Sequence, residues 1–109
     1  MTNASIYEPP TSILGTNIAP DLLYWVDHQL QAGARLLLID LCQVETIDSS
    51  GIGTLMIVRN RVRRVGARLS LCSLNSQTQA ELERAGLAEK FEVYANRDEF
   101  ETFLPTDEF

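Results

Sequence analysis

Apolar residues fall along this chain in two rhythms. Residues 35–41 and 67–74 are short, largely apolar runs, and 91–94 reads as a last short strand. Runs of that length without polar alternation fit strands covered on both faces, as in a parallel or mixed sheet. Between them the apolar positions return every three or four residues. Leu22, Leu23, Val26 and Leu30 predict a helix over 20–32, opened by Pro20 and stopped by Gly33. Tyr24 and Trp25 fall near the edge of its stripe, where a packing role suits both. Ile52, Leu55, Met56, Val58, Val62 and Val65 predict a second helix, N-capped by Asp48 or Ser49 and ended at Gly66. Arg63 and Arg64 occupy its last turn, where cations suit the helix dipole.

Leu82, Ala85 and Leu87 form the inward side of a third helix, capped by Asn75 or Ser76 and closed by Gly86. Ser76 with Gln79 has capping-box spacing there, and Asn96 with Glu99 repeats it before a fourth helix. Phe100, Phe103 and Leu104 belong to that last helix, and Pro105 ends it. The N-terminal part offers two weak strands, an edge strand over 5–7 and another over 11–14, while 44–47 reads as a plain connection. Strands alternating with helices predict a layered α/β domain: one small, mixed and mostly parallel sheet of four to five strands, with about four helices. Residues 1–10 are a flexible or edge-strand lead-in, 11–104 the domain, and 105–109 a flexible tail.

Composition narrows what such a domain does. At 109 residues with 45% apolar content, one core is feasible without staples. No apolar run approaches the roughly 20 residues of a membrane span, and the first ten residues lack the charge and apolarity of an export signal, so cytoplasm is the expected location. A net charge of −6 argues against nucleic acid or anionic membrane binding by the whole surface. Cys42 and Cys72 both read as buried free thiols, and with His28 the only histidine a zinc site lacks ligands. No cofactor or metal is expected. Five of the nine cations, Arg59, Arg61, Arg63, Arg64 and Arg68, make a local positive patch, either a solvated helix face or a contact strip for an acidic partner.

The chemistry concentrates in 36–53, LLLIDLCQVETIDSSGIG, where a strand leads to a serine pair at a helix start. Serine catalysis needs a base, yet His28 lies on an ordinary amphipathic helix and the Gly-x-Ser-x-Gly elbow is absent. Asp48 can orient a base but not replace one, so the chain does not read as an enzyme. Gly51 and Gly53 would let backbone N–H groups approach an anion, but no lysine follows and Asp48 would repel a phosphate. A phosphoacceptor role fits better. A phosphoserine carries about −1.5 to −2 charges, and in a first helical turn it sits in a favourable field. It would turn a small, neutral surface strongly anionic and expel a docked partner. The bland alternative is that both serines merely cap the helix.

The stretch LLLIDLCQVETIDSSGIGTLMIVRNRVRRVGARLSLCSL resembles the core of the STAS domain family, in particular bacterial anti-sigma factor antagonists. Asp40 ends the strand, Asp48-Ser49-Ser50-Gly51-Ile52-Gly53 matches the signature, and Gly66 and 69–74 follow as the family's helix end and next strand. QAELERAGLAEKFEVYANRDEF resembles the family's third helix and its last strand and helix. The resemblance implies Ser50 as the phosphoacceptor, with Ser49 as the alternative. It implies a partner surface of Asp48, Ser49, Ser50, Gly51, Ile52, Gly53 and Asn17, the last from the loop leading into the first helix.

The implied partner is an anti-sigma factor that is itself a serine kinase and binds the ATP, with a PP2C-type phosphatase to reset the switch. Two departures stand out. The N-terminal hairpin is shorter than the family's, leaving an edge open to strand-to-strand homodimerisation. The loop Gly15-Thr16-Asn17-Ile18 also lacks the family's acidic residue. The alternatives are a STAS subunit without a phosphorylation cycle, regulating a transporter or scaffolding a larger assembly, and a small-ligand or nucleotide sensor.

Overall fold

The structure, a computed structural model, describes residues 4–102. The elements in chain order are β1 (Ser5–Tyr7), β2 (Ile13–Leu14), α1 (Ala19–Gln31), β3 (Leu36–Asp40), β4 (Thr46–Ile47), α2 (Ser49–Arg64), β5 (Arg68–Cys72), α3 (Ser76–Arg84), a 3₁₀ turn (Ala88–Lys90), β6 (Glu92–Tyr94) and α4 (Arg97–Thr102). Phe103, Leu104 and Pro105, expected to finish the last helix, and the tail after them lie outside the described residues.

Four strands form the main sheet in the order β1-β3-β5-β6, every pair parallel. Its register lines up Tyr7, Ile39, Leu71 and Val93 across one face, and Ile6, Leu38 and Ser70 across the other. Leu37, Ile39, Leu69 and Leu71 pack with Leu22 and Val26 of α1, Leu55, Val58 and Val62 of α2, and Leu82 of α3. On the opposite face Leu38 and Cys72 pack against Phe100 of α4, which is 1% exposed. Cover on both faces is why β3 runs apolar without alternation up to Asp40.

The expected helix stops are borne out. Gly66 at φ 78° and Gly86 at φ 75° take the left-handed conformation that ends a helix with little strain. The N–H groups of Ala67 and Leu87 then reach back to the carbonyls of Val62 and Leu82.

Several expectations are corrected. The sheet is not mixed: β1 pairs with β3 and β2 with β4, so no antiparallel pair occurs among the described residues. Pro9 and Pro10, which follow β1, lack the N–H groups that a ladder needs. The connection 44–47 contains β4, a separate strand paired with β2. Asn75 caps α3 in a box with Thr78, replacing the Ser76–Gln79 pair. Asn96 Oδ1 accepts the Glu99 N–H at 2.8 Å as expected, but the Glu99 carboxylate bonds the N–H of Ala95 rather than that of Asn96. Trp25 packs on Tyr7 with ring centroids 5.2 Å apart, but Tyr24 is 72% exposed and stacks on His28. Ala85, expected inward, is exposed. Cys72 is buried and Cys42 is exposed, because β3 ends at Asp40 and Cys42 falls in the turn beyond it.

Candidate functional site at the start of α2

Asp48 organises the entry to α2. Its backbone is extended, at φ −87° and ψ −179°, and its Oδ1 accepts the Gly51 N–H at 2.9 Å. Its own N–H donates to the Leu14 carbonyl at 3.1 Å, and its carbonyl accepts the Ile52 N–H at 3.0 Å. One residue therefore closes the helix end and ties it to the β2 loop. That seam is tight enough to need glycine twice. A Cβ on Gly51 would collide with the Leu14 carbonyl, and one on Gly15 with the Asp48 carboxylate.

A second clamp holds β4 from the side of α3. Glu81 Oε1 accepts the Ile47 N–H at 2.6 Å, and Oε2 accepts from Thr46 Oγ1 at 2.5 Å and Gln77 Nε2 at 2.8 Å. Burial works to raise the Glu81 carboxyl, yet the bonds from Thr46, Gln77 and the Ile47 N–H hold it below the usual carboxylate range. Asn75 Nδ2 adds bonds to the carbonyls of Val44 and Glu45, both at 3.3 Å. Glu81 carries no sequence signal beyond being a polar residue on an amphipathic helix, and its role depends on where β4 arrives.

Ser49 and Ser50 then occupy the first two positions of α2, both exposed. The cap is the Asp48 carboxylate, so neither serine hydroxyl is needed as one. Ser50 is held by its backbone, its carbonyl accepting from Thr54 Oγ1 at 2.9 Å, while its hydroxyl makes no hydrogen bond among the described residues. The bland capping alternative does not describe this geometry.

Of the other residues expected at a partner surface, Ile52 is half-buried and Gly53 is exposed with open space where a Cβ would point. Gly51 is corrected: it is buried against Leu14, and its missing side chain serves that contact rather than an open approach for a partner. Asn17 is exposed and bonds Thr11 Oγ1 at 2.9 Å. Its loop is brought to the corner by Gly15, which abuts Asp48. His28 makes no bond to either serine among the described residues.

Beside Ser49 lies a shallow depression of about 260 Å³ lined by Ile47, Asp48, Ser49, Ile52, Glu81, Arg84 and Ala85, with Arg84 its one cation.

Glu8, Asp40 and Cys42 bring ligand-type atoms within 4.8 Å of one another beyond the ends of β1 and β3. Arg97 already serves the two carboxylates, donating to Asp40 at 2.5 Å and Glu8 at 2.6 Å. Burial and the Glu8 and Asp40 carboxylates push the Cys42 thiol up to about 11, away from the thiolate a metal would need. This cluster is a clasp between α4 and the sheet.

The parallel sheet with its helices agrees with the comparisons to known proteins. The family model of the STAS domain matches residues 2–100, and the chain belongs to that family. BtrV of Bordetella bronchiseptica, named as a candidate anti-sigma factor antagonist, is 30% identical over 81 residues, covering 71% of this chain and 70% of its own. The solution structure of TM1081 matches with a TM-score of 0.82 at 23% identity, over 94% of this chain and 82% of that one. The crystal structure of the same Thermotoga maritima protein, described as a candidate anti-sigma factor antagonist, gives a TM-score of 0.73 at 22% identity, over 94% and 81% of the two chains. A sulfate transporter family protein from Wolinella succinogenes matches at a TM-score of 0.81 and 20% identity, over 91% and 82%. The structural likenesses establish the fold. Among the described residues no helix is long and apolar enough to cross a membrane.

Proposed function

We propose that this domain is an anti-sigma factor antagonist, a cytoplasmic binding module switched by phosphorylation of Ser50. The observation that carries the reading is the serine pair itself: exposed at the start of α2, with the capping duty taken by Asp48. The likeness to BtrV supports the same class. In its unphosphorylated form the domain sequesters an anti-sigma factor, a serine kinase that brings its own ATP, and so frees a sigma factor for transcription. The docking surface is Ser49, Ser50, Ile52, Gly53 and the loop carrying Asn17.

Phosphorylation adds about −1.5 to −2 charges at the positive end of the α2 dipole, so the fold tolerates it while the docked partner does not. No acidic residue stands within the first turn of α2 to oppose that charge beyond the Asp48 cap. A PP2C-type phosphatase returns the domain to its binding form. The module performs no chemistry itself.

The test combines phosphopeptide mapping of protein from its native host with affinity measurements on the anti-sigma factor kinase. Ser50→Asp is expected to weaken binding at least tenfold, about 1.4 kcal/mol, with an unchanged melting temperature. Ser50→Ala keeps the binding and loses the phosphate. Equal affinity for Ser50→Asp would sink the switch and favour a STAS scaffold in a transporter or larger assembly. A phosphate mapped to Ser49 would move the acceptor by one residue.

A further inference from the structure

Charge on this domain is divided by end. Arg63 and Arg64 lie exposed in the last turn of α2. Arg35, just before β3, donates to the Val65 carbonyl at 2.9 Å and accepts the Arg68 N–H on its own carbonyl at 2.9 Å. Arg59 reaches the Lys90 carbonyl at 2.8 Å, and Arg61 completes the group from the same last turn. Seven cations thus gather where α2 ends and β3, β5 and β6 begin.

Three carboxylates share that end. Asp27 pairs with Arg61 at 2.6 Å, Glu92 pairs with Arg68 at 2.5 Å, and Glu89 lies beside Lys90 in the 3₁₀ turn. Among the described residues four positive charges stay uncompensated at this end, whereas elsewhere ten carboxylates face Arg84 and Arg97. Among the described residues neither Arg63 nor Arg64 forms an ion pair. Val65, 47% exposed, supplies an apolar point in their midst.

We propose that this basic end is a second interaction surface, which takes a compact acidic polypeptide segment carrying one apolar side chain. Compactness follows from the charge map. Duplex nucleic acid carries one charge per about 1.7 Å and would run from the patch onto strongly acidic surface. A short acidic segment stays within the patch, and an apolar side chain on it meets Val65 at the dry centre of the contact.

The two ends work independently. The 16 residues of α2 separate them by roughly 20–24 Å, between two and three screening lengths at physiological salt. A phosphate on Ser50 therefore neither blocks nor strengthens the basic end, and the domain can bridge two partners at once. The inference stands whether or not Ser50 is ever phosphorylated.

Fluorescence anisotropy with a labelled, glutamate-rich peptide bearing one central leucine tests it, run beside duplex DNA and phosphatidylserine vesicles. Saturable peptide binding is expected, weakened at least tenfold by R63E/R64E, less by R63A/R64A, and unchanged by S50D. The alanine pair keeps the test valid should charge reversal disturb the end of α2. Absence of peptide binding, indifference to both arginine pairs, or loss of binding in S50D would overturn the proposal. Tighter binding of DNA or vesicles than of peptide would overturn it in favour of a nucleic acid or membrane face.

Discussion

The chain ends two strands on or just before an aspartate, and the two aspartates meet opposite fates. Asp40, at the end of β3, is 4% exposed and saturated: Arg97 donates to one oxygen and the Cys42 N–H to the other, at 3.1 Å. Around it the clasp is closed further by Arg97 with Glu8 and by Gln43 with Glu8. Asp48, one residue past β4, is exposed, and its carboxylate caps the helix that follows. At the clasp every strong polar group is turned on another group of the same molecule. At the corner the backbone is just as firmly held, through Leu14, Gly51 and Glu81, but two hydroxyls are left facing outward. The difference separates a structural polar cluster from a functional one. Rigid backbone with unsatisfied side chains is what a modifying partner can use.

Breaking the corner from inside gives the largest effect. Gly51→Ala forces a methyl into the Leu14 backbone, which has no flexible end to yield, and about 3 kcal/mol of destabilisation is expected by chemical denaturation. Partner binding falls with the fold. The clasp comes next. Arg97→Ala strips Asp40 of its cation, and because the guanidinium side is 42% exposed the cost is set at about 2 kcal/mol rather than that of a fully buried pair.

The clasp also gives a pH signature. Burial works to raise the Asp40 carboxyl, but bonds from Arg97, Ser73 and the Cys42 N–H hold it below the usual range. Its stabilisation is therefore complete above the unfolded aspartate value of about 3.9 and is lost as pH falls through the lower folded value. Stability measured from pH 5 downward should drop steeply in the wild type and more gently in Arg97→Ala. Equal slopes would show that the clasp does not hold the Asp40 proton off.

Smaller effects sharpen the contrast at the corner. Asp48→Ala removes the cap and costs about 1 kcal/mol, while leaving both serines exposed. Ser50→Ala is expected to change stability by less than about 0.5 kcal/mol, since no group among the described residues bonds its hydroxyl. A larger loss in thermal unfolding would mean that the hydroxyl is structural and that the comparison with the clasp fails.

Much of the architecture was legible in the sequence. α1 and α2 fall within two residues of their expected ends, because the 3.6-residue apolar period and the terminal glycines are local signals. β3 was visible as an apolar run, and β5 as a mostly apolar one. β4 was not, since a two-residue strand exists only where Leu14 offers it a partner. Cys42 and Ala85 were misplaced for a related reason: exposure at the edge of an element depends on what packs there.

At the site the balance is similar. The serine pair, the aspartate before it and their place at a helix start could be read locally, because capping and helix periodicity act over three or four residues. It took the folded molecule to show that Asp48, not a serine, is the cap, that Gly51 is buried, and that Glu81 and Gly15 shape the corner. Folding also gathered Arg35, Lys90 and the α2 arginines at one end. Apart from the local Asp48–Gly51 bond, those choices rest on contacts between residues roughly thirty or more positions apart: the packing of β2 and α3 on β4 makes the corner, and the approach of the 3₁₀ turn to α2 gathers the cations. Such pairings follow from the closure of the whole core, which no short stretch of sequence encodes.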